Sequence, residues 1–187
     1  YSTDNGENWT FVTDAQAPNN SKMTFNGITY GNGKFVAVAS AVSLAGTPKI
    51  IQSSDGITWG EITVNAAYNK INSNSASWYA VTYAELDDGT KRFIAVAYTS
   101  PSGAKGVEDI AWSNDGVEWF LESSGLDDSG LGCVGFCNNR VLALATGGTT
   151  GFYSDDAGVT WTPTTVPSAY SVSYTHLRAH ETPEHLV

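Results

Sequence analysis

Three stretches share one pattern of hydrophobic and polar positions: "FNGITYGNGKFVAVA" (25–39), "WYAVTYAELDDGTKRFIAVA" (78–97) and "LGCVGFCNNRVLALA" (131–145). Each opens on a large apolar residue: Phe25, Trp78, Leu131. Ile28, Val81 and Val134 follow, and two residues later come Tyr30, Tyr83 and Phe136. A polar turn comes next, then a cation (Lys34, Arg92, Arg140), then a run in which alanine alternates with larger apolar residues. Short runs rich in β-branched and aromatic residues, bounded by Gly, Asn and Asp, predict two strands joined in a hairpin. Successive side chains of a strand point to opposite faces, so the alanines share one face, and a neighbouring sheet can approach it closely.

A second pattern recurs in phase with the hairpin. "STDNGENW" (2–9), "SSDGITW" (53–59), "SNDGVEW" (113–119) and "SDDAGVTW" (154–161) each read Ser-x-Asp, then Gly, then Trp, at Ser-to-Ser spacings of 51, 60 and 41. Recurrence at such intervals signals a repeat architecture. A short Asp side chain can accept hydrogen bonds from backbone N–H groups inside a turn. Gly takes a positive-φ position, and Trp begins the next strand and buries a large area. The turn therefore joins a third strand ("PKIIQS", "DIAWS", "TGFYS") to a fourth beginning at Trp, so each unit is four antiparallel strands.

This combination resembles the Asp-box, or BNR, repeat of sialidase-like β-propellers, over essentially all of residues 1–172. The second and third boxes are one residue shorter than the usual S-x-D-x-G-x-T-W, and the third has Glu118 in place of Thr. The resemblance implies an all-β propeller of four-stranded antiparallel blades. It also implies that the boxes (Ser2, Asp4, Gly6, Trp9; Ser53, Asp55, Gly56, Trp59; Ser113, Asp115, Gly116, Trp119; Ser154, Asp156, Gly158, Trp161) are scaffold turns at the rim, away from the ligand face. A calcium loop would need further oxygen ligands at set spacing, and no EF-hand-like run is present.

Three complete units are expected at 24–64, 77–123 and 130–165, with partial units at 1–12 and 169–174. The repeat is cut mid-strand at both ends, so the chain reads as part of a longer propeller. A lone half-ring would expose apolar faces and sheet edges, favouring association with remaining blades or with itself. A soluble, cooperatively melting monomer of 1–172 would contradict that. Residues 173–187, "SYTHLRAHETPEHLV", break the composition: they hold all three histidines and no glycine, and "SYTHLRAHET" resembles a translated sequencing-adapter read. They are set aside as a non-native or disordered tail.

Setting the tail aside sharpens the chemistry. Residues 1–172 contain no histidine, which removes Ser-His-Asp triads, histidine acid–base catalysis and His-ligated metals. Seventeen acidic against eight basic residues leave that part at −9, a poor partner for nucleic acid or an anionic membrane surface. No apolar run approaches the ~20 residues that span a bilayer. Cys133 and Cys137 lie four apart and read as buried or turn thiols. No metal or cofactor is expected. The low charge, with Ser, Thr, Asn and Gly at the surface, suits an extracellular or cell-surface protein.

Ligands of propellers usually meet the face opposite the Asp-box turns, here 13–22, 40–49, 65–77, 99–107, 123–130 and 146–150. Among these, Tyr68, Asn69, Lys70, Lys105, Asp127 and Asp128 are the candidate ligand-binding residues. Sialidases use an arginine triad, a Tyr–Glu nucleophile pair and an Asp acid/base. Only Arg92 and Arg140 are available in 1–172, both at a position repeated in each unit, and no Arg-Ile-Pro motif occurs. No catalytic residue is assigned. The expected function is a non-catalytic propeller segment presenting loops to a glycan or protein, within a larger secreted, surface or phage-tail-like protein. The alternative is a fragment of a sialidase-like glycoside hydrolase with its catalytic residues elsewhere.

Overall fold

A computed structural model describes residues 1–13, 23–41, 49–64, 71, 76–99, 108–125, 130–146 and 149–166. These contain thirteen strands and no α-helix. Unit 1 comprises β1 (Met23–Gly31), β2 (Lys34–Ala41), β3 (Ile50–Ser53) and β4 (Gly60–Glu61), followed by a short β5 (Thr63–Val64). Unit 2 comprises β6 (Ser77–Glu85), β7 (Lys91–Thr99), β8 (Ile110–Ser113) and β9 (Glu118–Glu122). Unit 3 comprises β10 (Leu131–Cys137), β11 (Arg140–Ala145), β12 (Thr150–Ser154) and β13 (Thr162–Thr165).

Each unit is an antiparallel meander with the same register. Tyr30 pairs with Phe35, Tyr83 with Phe93 and Phe136 with Val141 across the first hairpin. Phe35, Phe93 and Val141 pair in turn with Ser53, Ser113 and Ser154, the serines that open the Ser-x-Asp turns. A register shift interrupts the first strand at the same place each time, at Asn26, Tyr79 and Gly132. Residues that bulge from a ladder are re-aimed relative to their neighbours.

The core lies between units. One cluster joins Val36, Val38 and Ile50 on the rear of unit 1 to Trp78, Phe93, Ala95 and Trp119 on the front of unit 2. The next joins Ile94, Val96 and Ile110 on the rear of unit 2 to Leu131, Val141, Ala143 and Phe152 on the front of unit 3. The alternation predicted from sequence does this: Ala95 and Ala97 share the front face, and the larger Ile94 and Val96 share the rear. First strands meet most closely. The Tyr83 ring lies where a Cβ on Gly31 would go, and a Cβ on Gly27 would touch the backbone of Ala80 and Val81. Four-stranded antiparallel sheets stacked face to face around adjacent first strands form a β-propeller arrangement.

Three details differ from the sequence expectation. The fourth strand does not uniformly begin at Trp: it starts one residue after Trp59 and Trp161, and one before Trp119. In unit 1 it also breaks after Glu61, and β5 leaves its own sheet to pair in parallel with β9 of unit 2, Thr63 opposite Glu118 and Val64 opposite Trp119. A single bridge, Ser40 to Ser77, adds a second backbone link between these units. The third is Trp9: it is 73% exposed, whereas Trp119 is fully buried and Trp59 and Trp161 are half-buried.

Candidate functional site

The units have two chemically distinct ends. The hairpin turns and the Ser-x-Asp turns lie at one end. The ends of the second strands and the starts of the first and third strands lie at the other.

At the turn end, all four Ser-x-Asp motifs close on themselves. Ser2, Ser53, Ser113 and Ser154 donate from Oγ to their Asp Oδ1 at 2.6, 2.9, 3.1 and 2.7 Å. The same Oγ accepts the Gly N–H of its turn at 2.7–2.9 Å. Asp55 accepts from the N–H groups of Ile57 and Thr58, and Asp115 from those of Val117 and Glu118. Asp156 accepts from Val159 and Thr160, and Asp4 from the backbone and side-chain amides of Asn8. Each Trp Nε1–H donates to the carbonyl of its turn glycine, at 3.0–3.3 Å. The glycines have φ between 72 and 90°, and the two longer turns place Asn5 and Ala157 in the left-handed region too.

These donors favour the charged carboxylate. The Ser2 hydroxyl and the Asn8 amides hold Asp4 at about 2, and the N–H groups of Ile57 and Thr58 hold Asp55 at about 2. Burial pushes Asp115 and Asp156 upward, but their hydrogen bonds outweigh it and both stay below the usual carboxylate range. A carboxylate so engaged gives up no proton near neutrality.

The repeated cations are also occupied at this end. The Arg92 guanidinium lies 4.5 Å over Trp112 and donates to Asn114 Oδ1 and to the Asp156 carbonyl of the next unit. Arg140 forms a two-pronged pair with Asp155 over the Tyr153 ring, and its hydrogen bonds to Asp155 raise its pKa. Lys34 Nζ reaches Gln52 Oε1 at 3.3 Å. Cys137 is exposed where β10 enters its turn, and Cys133 is half-buried, its pKa raised by burial; both thiols are free.

At the loop end, Tyr68, Asn69, Lys70, Lys105, Asp127 and Asp128 all lie outside the described residues. The described residues there reveal a different cluster. The bulged positions Asn26, Tyr79 and Gly132 correspond between units, and so do Ser40, Tyr98 and Thr146 near the ends of the second strands. Unit 1 fills this pair with a hydrogen bond: Asn26 Nδ2 donates to Ser40 Oγ at 2.7 Å and to the Trp78 carbonyl at 2.8 Å. Unit 3 fills it with Gly132 beneath the Thr146 methyl. Unit 2 places two tyrosine rings there, 5.5 Å apart and inclined by 37°, 40% and 39% exposed.

The tyrosines are held from below. Trp78 is fully buried and donates from Nε1 to the Ile71 carbonyl at 3.1 Å. The Tyr98 carbonyl packs on Gly130, where no Cβ would fit. Nearby, Asp109 is 1% exposed and accepts from the backbone N–H and the hydroxyl of Ser124; burial raises its pKa. Sequence reasoning passed over Tyr79 and Tyr98 because each sat inside a strand of the repeat. The available signal was disagreement: aligned units agree at core positions and differ at this one.

No protein-family model matches the chain, and no curated protein matches it in sequence. Solved structures do resemble it. A Dyadobacter fermentans protein of unknown function is 19% identical, with a TM-score of 0.52 over 89% of this chain and 50% of its own. The Bombyx mori GH32 β-fructofuranosidase BmSUC1 is 16% identical, with a TM-score of 0.48 over 79% of this chain and 35% of its own. YCF48 from Cyanidioschyzon merolae is 17% identical, with a TM-score of 0.46 over 81% and 46%. The chain thus spans half or less of each. At such identity the likeness to the Dyadobacter protein is one of fold alone; the stacked four-stranded antiparallel units make this chain all-β, of the β-propeller fold.

Proposed function

We propose that this chain is a non-catalytic Asp-box propeller segment whose loop end binds a glycan or protein surface, within a larger secreted, cell-surface or phage-tail-like protein. The Tyr79–Tyr98 pair carries the reading. Tyrosine offers a rigid apolar ring with a polar tip, and such residues anchor recognition surfaces at low entropic cost. The pair breaks the repeat in one unit only, and it stands at the end of the units opposite the Ser-x-Asp turns. Among the described residues, the Asp-box carboxylates, Arg92 and Arg140 are all engaged at the opposite end. The alternative, a fragment of a sialidase-like glycoside hydrolase, keeps its catalytic residues largely in blades outside this chain and assigns none to Arg92 or Arg140.

A glycan array and a binding screen against extracellular proteins, run with the chain and with a Tyr79→Ala/Tyr98→Ala variant, test this reading. A hit weakened by roughly tenfold or more in the variant, the loss expected for an aromatic anchor, supports it. A screen without hits, alongside hydrolysis of a fluorogenic sialoside by the parent protein, overturns it in favour of the enzyme.

A further inference from the structure

Three departures from the repeat meet at one place in unit 2. Two are the tyrosines, Tyr79 and Tyr98, whose rings lie 5.5 Å apart. The third is Glu108. The Ala97 N–H donates to the Asp109 carbonyl at 2.8 Å, which extends the register of β7 with β8, so the next residues in line on the two strands are Tyr98 and Glu108. Units 1 and 3 have Pro48 and Thr149 at the Glu108 position, without charge. Glu108 is half-buried and holds a left-handed backbone, φ 55°, with its N–H donating to Ser123 Oγ at 2.9 Å. Such a conformation is uncommon outside glycine, and it gathers at binding and catalytic sites. The other charges among the described residues at this end of unit 2, Asp109 and Glu122, are acidic too, whereas Lys91 and Arg92 lie at the turn end.

The molecule builds the complete constellation once from its own residues. In unit 3 the Arg140 guanidinium lies 4.2 Å over the Tyr153 ring while it grips Asp155 with two hydrogen bonds, of 2.6 and 3.0 Å. Tyrosine supplies the face, the carboxylate supplies the acceptors, and a planar guanidinium satisfies both at once. At the loop end of unit 2 tyrosines and a carboxylate come together again. Residues 1–172 have no further arginine to add: they contain only Arg92 and Arg140, both committed to the turn end. We propose that Tyr79, Tyr98 and Glu108 receive an arginine side chain from a partner protein. The net charge of −9 on residues 1–172 draws a basic segment toward this chain. The assignment rests on the reading of the loop end as a recognition surface, and it narrows the partner from a glycan or protein to a basic protein segment. All three residues lie in unit 2, which has a neighbour on both faces, so their exposure does not come from the ends of the sequence.

Titration calorimetry of the full chain with nona-arginine at about 150 mM salt tests the assignment, with nona-lysine as the comparison. The arginine peptide should bind the tighter, because a guanidinium stacks on a ring and meets a carboxylate with two prongs, whereas an ammonium is a compact point charge. Tyr79→Ala/Tyr98→Ala should weaken it about tenfold, and Glu108→Gln about threefold. Tyr79→Phe/Tyr98→Phe should leave it nearly intact, since the ring faces remain. Asp88→Asn, which removes an exposed charge at the turn end, should change it less than Glu108→Gln. Circular dichroism checks that each variant is folded; should the double alanine fail, Glu108→Gln and the comparison of peptides decide. Equal binding of both peptides, or affinity indifferent to the tyrosines and to Glu108, reduces the attraction to net charge and overturns the proposal. A glycan hit lost in Tyr79→Ala/Tyr98→Ala but kept in Glu108→Gln, with no preference for arginine, overturns it too while the recognition surface itself stands.

Discussion

The four tryptophans of the Ser-x-Asp turns form an internal experiment. Trp9 and Trp119 make the same bond, Nε1–H to the carbonyl of the turn glycine, at 3.0 and 3.2 Å. They differ in burial: Trp119 is fully enclosed between units 1 and 2, and Trp9 is 73% exposed. If burial is what tryptophan contributes, Trp119→Ala should be costly and Trp9→Ala nearly silent. A buried tryptophan removes about 200 Å² from water, worth roughly 5 kcal/mol at ~25 cal/mol per Å². The observed cost of such truncations is about 3–5 kcal/mol. With a urea dependence of ~2 kcal/mol per molar, the midpoint should fall by about 2 M. Trp9→Ala should stay within about 0.5 kcal/mol, and Trp119→Phe should fall between, losing the buried hydrogen bond at about 1 kcal/mol plus part of the ring area. Urea titrations followed by circular dichroism measure all three. Equal losses for Trp9→Ala and Trp119→Ala would refute the reasoning and move the role of tryptophan to the turn itself.

Ser113→Ala should destabilise by about 1–3 kcal/mol, because it strands the buried Gly116 N–H that Ser113 Oγ accepts at 2.8 Å; a urea midpoint unchanged from wild type would contradict it. Acid should unfold the protein in a defined window. The turn carboxylates are depressed, with Asp4 and Asp55 at about 2 against an ordinary 3.8, so their contribution is full above the unfolded value and fades as pH falls through the folded one. Asp109 is shifted the other way by burial, so its protonation on acidification favours the fold and partly offsets the turns. The turns should prevail, with thermal midpoints falling between about pH 4 and pH 2; flat midpoints over that range would show that the turn carboxylates are not linked to folding.

Much of this architecture was legible in the sequence because its determinants are local. Alternation fixed which face of each strand is buried, and Ser-x-Asp-Gly-Trp fixed where third and fourth strands turn. The roles of the turn serine and of the Trp Nε1–H were not anticipated, since hydroxyl and indole partners depend on turn geometry. The pairing of β5 with β9 was invisible for another reason: it joins residues 55 apart in parallel, and no period or turn residue marks it. Trp9 shows how the same motif yields different burial, because burial belongs to the neighbours. The six candidate ligand residues fall outside the described part of the chain. The loop-end feature that emerged instead, Tyr79 with Tyr98, joins two residues at the open end of one hairpin, brought together by the register and bulge of strands the sequence predicted.

The self-sufficiency of the Ser-x-Asp turn has a kinetic consequence. Residues 2–9 complete the full set of turn hydrogen bonds, with partners no more than four residues apart, although Trp9 is bare. Closing so short a loop has little entropic cost and takes well under a microsecond. Each third and fourth strand therefore starts its search for partners already folded back on itself. Contacts between units join residues tens of positions apart and must wait for the slower meeting of whole sheets. The chain orders as a string of preformed corners, and the rate at which it folds is set by sheet stacking between them.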